Sequence, residues 1–137
     1  MEEFEMSLLV DEYRRNWAIR FLREARSDLS TADRTPIPAM SISLAVMAMR
    51  KAQTSVYYIM GDPSYLTPLV NNAIDEAVGL ENAIMKFLVD FELVIRSCIN
   101  SGERLGKEAA IQNAKCLIEL VAKTVSIMTG IKAVDFA

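Results

Sequence analysis

VNNAIDEAVGLENAIMKFLVDFELVIRSC, residues 70–98, places apolar side chains at Val70, Ala73, Ala77, Leu80, Ile84, Phe87, Phe91, Val94 and Cys98, in alternating steps of three and four. A strand would repeat every two residues. A repeat averaging 3.5 is the seam along which one helix lies on another in a bundle. This stretch therefore predicts the longest helix of an all-α protein. Gly79 inside it marks a bend or a close helix approach, and Asn100-Ser101-Gly102 is expected to end it.

The flanking segments follow the same period. A first helix is predicted from about Glu3 to Asp33, with Ala18, Leu22, Ala25, Leu29 and Ala32 on one face, widened by Trp17 and Phe21. Thr35-Pro36-Ile37-Pro38 must interrupt it, because proline lacks the amide donor and restricts the residue before it. A second helix is predicted from Pro38 to Met60. It is apolar on nearly every side between Ala39 and Met49, so it reads as a central helix covered by neighbours, with Met40, Met47 and Met49 filling gaps. Gly61 stops it and Asp62-Pro63-Ser64 starts the next segment. A last helix is predicted from about Arg104 to Thr129, striped by Ala110, Ala114, Leu117, Val121, Val125 and Met128 and closed by Gly130. The expected fold is an antiparallel up-and-down four-helix bundle, with room for a short fifth helix, spanning residues 1–137 as one domain.

Composition narrows the function. The 137 residues include no histidine, which removes the commonest general base and the commonest metal ligand. No Ser-His-Asp or Cys-His arrangement is available, and the Glu-x-x-His pairs of di-iron bundles are missing. Magnesium-binding Glu-x-x-Glu runs are absent apart from Glu2/Glu5, and no glycine-rich phosphate loop is present. No catalytic residue, cofactor or metal is expected. A net charge of −3 gives no global attraction to nucleic acid or anionic membrane. The acidic opening (Glu2, Glu3, Glu5) lacks the basic start and apolar run of a signal peptide, and Ala39–Met49 is too short to span a bilayer. A cytoplasmic protein is expected, with Cys98 and Cys116 as small core hydrophobes.

Three groups stand out as candidates. Arg15, Arg20, Arg23 and Arg26 lie opposite the apolar face of the first helix. They suit a nucleic-acid phosphate backbone, or equally a solvated face laced with local ion pairs. Asp28, on the apolar side, suits a ligand anchor or a structural ion pair with Arg50, Lys51 or Arg96. Tyr57, Tyr58 and Tyr65 surround the turn at Gly61 and suit base stacking or helix-end packing.

Taken in order, four segments resemble HEPN domains. Residues 17–32, WAIRFLREARSDLSTA, are similar to the family's opening helix with its Ala-x-x-Asp-Leu-x-x-Ala pattern. Residues 43–61, SLAVMAMRKAQTSVYYIMG, resemble its second helix, where small residues precede a basic one. Asp90-Phe-Glu-Leu-Val-Ile-Arg96 resembles its third-helix end, and residues 108–119, EAAIQNAKCLIE, its final Ala-rich helix. The resemblance implies a dimerising helical bundle. In many members it also implies a ribonuclease, often a toxin paired with a nucleotidyltransferase-like antitoxin, acting through Arg-x4–6-His. Arg96 is followed by Ser97, Cys98, Ile99, Asn100, Ser101, Gly102 and Glu103, so the histidine is missing. What the resemblance then implies is a non-catalytic homodimer that binds a nucleotide, RNA or a partner protein, with Arg96, Lys51 and Asp28 as ligand-binding positions; Arg50, next to Lys51, is a further ligand-binding candidate. A degenerate ribonuclease using Arg96 with Asn100 or Ser101, and a purely structural bundle, are the alternatives.

Overall fold

A computed structural model describes residues 11–132, and among these every regular element is helical. The elements are α1 (Glu12–Arg34), α2 (Pro38–Met60), α3 (Pro63–Glu76), α4 (Ala83–Leu105) and α5 (Lys107–Thr129). The expected extension of the first helix back to Glu3 lies outside the described residues. At Glu12 the helix is capped, with the Asp11 carboxylate accepting from the Arg14 amide at 2.8 Å.

Helices α1 and α2 form an antiparallel pair zipped by small residues. Ala18, Leu22, Ala25 and Ala32 face Ser41, Ala45, Ala48, Ala52 and Ser55, all buried. Without long side chains between them, the two backbones come close enough for serine to reach across. Ser41 Oγ donates to the Ala32 carbonyl and Ser55 Oγ to the Ala18 carbonyl, each at 2.6 Å. These bonds fix the register, since Ser41 lies level with Ala32 and Ser55 with Ala18. Helix α5 packs on both α1 and α2 and carries Ala110, Ala114, Leu117, Val121 and Val125 into the core, as its stripe predicts. Helix α4 closes the bundle against α5 and α2, and α3 rests on α2 and α4.

The long helix predicted across residues 70–98 is two helices. Ala77 turns into the left-handed region at φ 54° and ends α3, and Gly79 follows at φ 75°. Asn82 restarts the chain as a cap, its carbonyl oxygen accepting from the amides of Ile84 and Met85. The stop at Asn100-Ser101-Gly102 is also displaced. Helix α4 runs through Gly102 to Leu105, and the turn is made at Gly106, φ 101°. Gly102 serves instead as a contact point, since a Cβ there would stand 3.0 Å from the Ala110 Cβ.

The seam itself is shifted. In α4 the buried residues are Leu88, Val89, Phe91, Glu92, Ile95 and Gly102, whereas Ile84, Phe87 and Val94 of the predicted stripe are exposed and only Phe91 is shared. Helix α2 is likewise not covered all round. Met49 is buried, but Met40 and Met47 are half exposed along an open groove with Ala39, Ser43 and Leu44. Cys98 is half buried, and Cys116 is exposed rather than a core residue, because α5 turns Ala114, Leu117 and Val121 inward instead.

Two cations seal helix ends. Arg14 donates from Nε to the Tyr58 carbonyl at 2.8 Å and from Nη2 to the Ile59 carbonyl at 2.7 Å, at the negative end of α2. Lys107 Nζ donates to the Thr35 carbonyl at 2.7 Å beyond the end of α1. Both ends are thereby tied to a neighbouring helix. No helix among the described residues is long and apolar enough to cross a membrane.

Candidate functional site

A cleft of about 420 Å³ opens where α2, α3 and α4 meet, lined by Arg50, Gln53, Thr54 and Tyr57 of α2, Thr67 and Asn71 of α3, and Glu92 and Arg96 of α4. Its centre is Glu92, a carboxylate buried on the core side of α4. A buried charge is tolerated only when paired and hydrogen-bonded, and Glu92 is both. Oε1 accepts from Arg50 Nη1 at 2.7 Å and from Gln53 Nε2 at 2.6 Å, and Oε2 accepts from Arg96 Nε at 2.7 Å.

The network extends outward from there. Arg50 Nη1 also donates to Gln53 Oε1 at 2.8 Å, Gln53 Nε2 also donates to the Tyr57 hydroxyl oxygen at 3.1 Å, and Arg96 Nη2 reaches Asn71 Oδ1 at 3.4 Å. Burial pulls the Glu92 carboxyl upward, but the hydrogen bonds from Gln53, Arg50 and Arg96 outweigh it and hold the group below the usual glutamate range. Burial and the neighbouring Glu92 charge push the Tyr57 phenol up to about 12, so it keeps its proton.

The polarity of this network decides what the cleft offers. Glu92 uses both oxygens on protein donors, and the carbonyl oxygens of Gln53 and Asn71 and the hydroxyl oxygen of Tyr57 each accept a hydrogen bond from within. The polar groups that this network leaves without an acceptor are donors: Arg50 Nε and Nη2, Arg96 Nη1, the Asn71 amide and the Tyr57 proton. The two arginine side chains remain 41% and 47% exposed although anchored at one end. A buried acceptor thus holds two guanidinium groups in place and leaves their outer edges to meet an oxyanion.

The sequence-predicted residues are divided by the fold. Arg50 and Arg96 meet on Glu92. Lys51 and Asp28 do not join them; Lys51 Nζ stands 2.8 Å from Asp28 Oδ2, bridging α2 and α1. The α1 arginines do not form one patch with Arg96, since α1 and α4 are not packed together. Arg20 lies 3.9 Å from Glu24 and 4.9 Å over the Trp17 ring, Arg26 lines a separate groove with Asp33 and Lys115, and Arg15 and Arg23 sit elsewhere on the helix surface. Tyr58 stacks on Trp17 and Phe21 and packs the end of α2, Tyr65 is exposed, and Tyr57 alone of the three enters the cleft.

Glu92, Gln53, Thr54, Asn71 and Thr67 were not among the candidates that the sequence offered. A signal for Glu92 existed, since Leu88, Glu92, Ile95 and Ile99 keep bundle spacing one residue away from the chosen seam, and Arg96 follows at i+4. Its pairing with Arg50 and Gln53 spans some forty residues of chain and has no local signature. Among the described residues no group of three or more Cys, Asp or Glu gathers to hold a metal ion. No family model, curated protein or solved structure matches this chain.

Proposed function

We propose that this chain is a non-catalytic, HEPN-like binding bundle of the cytoplasm, a homodimer whose α2–α3–α4 cleft takes the phosphate of a nucleotide or of RNA. One observation carries the reading: the buried carboxylate and the amide oxygens of the cleft are engaged internally, and the cleft lining includes the two half-exposed guanidinium groups of Arg50 and Arg96 together with Tyr57 and Asn71. A phosphate, with several acceptor oxygens and negative charge, is the group such an edge favours. Thr67 lines the same cleft and supplies a hydroxyl for a sugar or a second phosphate oxygen, whereas the Thr54 hydroxyl donates to the Arg50 carbonyl at 3.0 Å and has only its oxygen to offer a sugar hydroxyl.

The resemblance to HEPN domains supports this reading through the order of its four segments and the place of Arg96, and the missing histidine supports binding without cleavage. Native mass spectrometry of protein purified without added nucleotide tests it. The expected result is a fraction of chains carrying a nucleotide-sized mass that disappears in Arg96→Ala and in Arg50→Ala. RNA cleavage by the purified protein that is lost in Arg96→Ala would replace this reading with the ribonuclease one. Retention of a nucleotidyltransferase-like chain with no small ligand would replace it with a partner-binding role.

A further inference from the structure

Helix α4 carries two bundle seams. Leu88, Glu92, Ile95, Ile99 and Gly102 repeat in steps of four and three and face the rest of the chain. Ile84, Phe87, Phe91, Val94, Cys98 and Leu105 repeat in steps of three, four and seven, one flank over, and most of that stripe is open. Helix α5 repeats the pattern, with Leu120 and Ile127 standing off its core stripe. The two helices are antiparallel across the Gly102–Ala110 contact, so Val94 and Leu120 fall near the same level, as do Ile84 and Ile127.

The open stripes join into one two-helix face. Its six large apolar side chains, Ile84, Phe87, Val94, Leu105, Leu120 and Ile127, are 37–75% exposed. Single apolar side chains scattered over a surface are ordinary, but a contiguous set of this kind is what a protein–protein contact uses, and a stable interface buries about 800 Å² per partner with its rim included.

We propose that this α4–α5 face is the homodimer interface, two copies meeting face to face about a two-fold axis parallel to the helices to form an intermolecular four-helix layer. A second copy fits on two grounds. The unfilled seams have bundle spacing, which demands helices as occupants, and the face itself is a pair of such helices. The rim is also self-complementary. The two-fold brings α4 beside the partner's α5 with levels preserved, and Asp90 on the outer edge of α4 is level to within one residue with Lys123 on the outer edge of α5. Each chain contributes one such contact in each direction; Asp90 also pairs with Lys86 of its own helix at 3.2 Å, an exposed i,i+4 contact weak enough to be shared.

This surface rests on the homodimer of the reading above but not on its cleft: a monomeric wild type would remove the homodimer and this interface together, whereas phosphate binding by the cleft is read out separately. Sedimentation of the full chain at micromolar concentration tests it. Wild type is expected to run as a dimer, Val94→Glu/Leu120→Glu as a monomer with unchanged helical circular dichroism, and Met47→Glu, on the open groove of α2, as a dimer. Because the double variant introduces charge near the core, a charge swap on the rim gives a second readout. Asp90→Lys is expected to raise the dimer dissociation constant several-fold, and Asp90→Lys/Lys123→Asp to restore it. A monomeric wild type, a dimer that survives Val94→Glu/Leu120→Glu, a dimer lost in Met47→Glu, or an Asp90→Lys variant indistinguishable from wild type would each overturn the assignment.

Discussion

At the scale of single residues, Glu92 matters most. It sits where Leu or Ile would complete the α4 core seam, and an apolar residue there would avoid burying a charge. Its presence makes sense as the anchor that orients Arg50 and Arg96. Replacing it with Ala leaves two guanidinium groups and the Gln53 amide without their acceptor. The arginines are half exposed and regain water, so the cost falls below that of a fully buried broken pair: about 2 kcal/mol. Urea unfolding should show this loss for Glu92→Ala and a smaller one for Arg96→Ala, which leaves the carboxylate with two donors. The pH dependence has a defined sign. Because the folded carboxyl titrates below its ordinary 4.5, its stabilisation is complete above that value and is lost as pH falls through the lower folded value. Glu92→Gln should therefore flatten the acid limb of the stability profile and leave the neutral region nearly level. An acid limb unchanged by the substitution would place the sensitivity elsewhere.

At the scale of elements, legibility depended on whether the signal was local. Both ends of α2 were readable, since Pro38 sits in its first turn and Gly61 ends it. The break at residues 77–82 was hidden because an apolar seam keeps its period across a turn, so the seam does not report where the backbone departs from helix. Only Gly79 and the capping potential of Asn82 marked the place. The displaced end of α4 has the opposite cause. Gly102 looked like a stop but lies inside the helix because α5 approaches so closely there. Gly102→Ala sets two effects against each other. Alanine gains about 1 kcal/mol of helix propensity, whereas a Cβ 3.0 Å from the Ala110 Cβ overpacks a contact that neither side chain can relieve by rotation, at about 1–3 kcal/mol. The second effect is expected to win. Gly102→Ala should lower the melting temperature, and Gly102→Ala/Ala110→Gly should recover much of the loss. A melting temperature that rises in Gly102→Ala would show that the two helices can part at no cost.

At the scale of the whole molecule, the surfaces divide the labour. The α1–α2 zipper and the α5 stripe form the interior, the α2–α3–α4 cleft presents donors, and the α4–α5 face presents apolar side chains. The sequence held the cations of the cleft in plain sight as Arg50 and Arg96. It did not show that they converge, because convergence depends on α2 and α4 crossing at Glu92. For the same reason Lys51, next in sequence to Arg50, points instead to Asp28 on α1. Arg50, Arg96 and Tyr57, three of the eight lining residues, were thus legible as residue types, and none of the site was legible as geometry. The claim that the cleft recognises an oxyanion is tested most directly by calorimetric titration of the full chain with a nucleoside monophosphate and, in parallel, with the corresponding nucleoside. Saturable binding of the phosphate compound that is weakened at least tenfold in Arg96→Ala, with no comparable binding of the nucleoside, is the predicted result. Equal binding of both compounds, or phosphate binding untouched by Arg96→Ala, would contradict it.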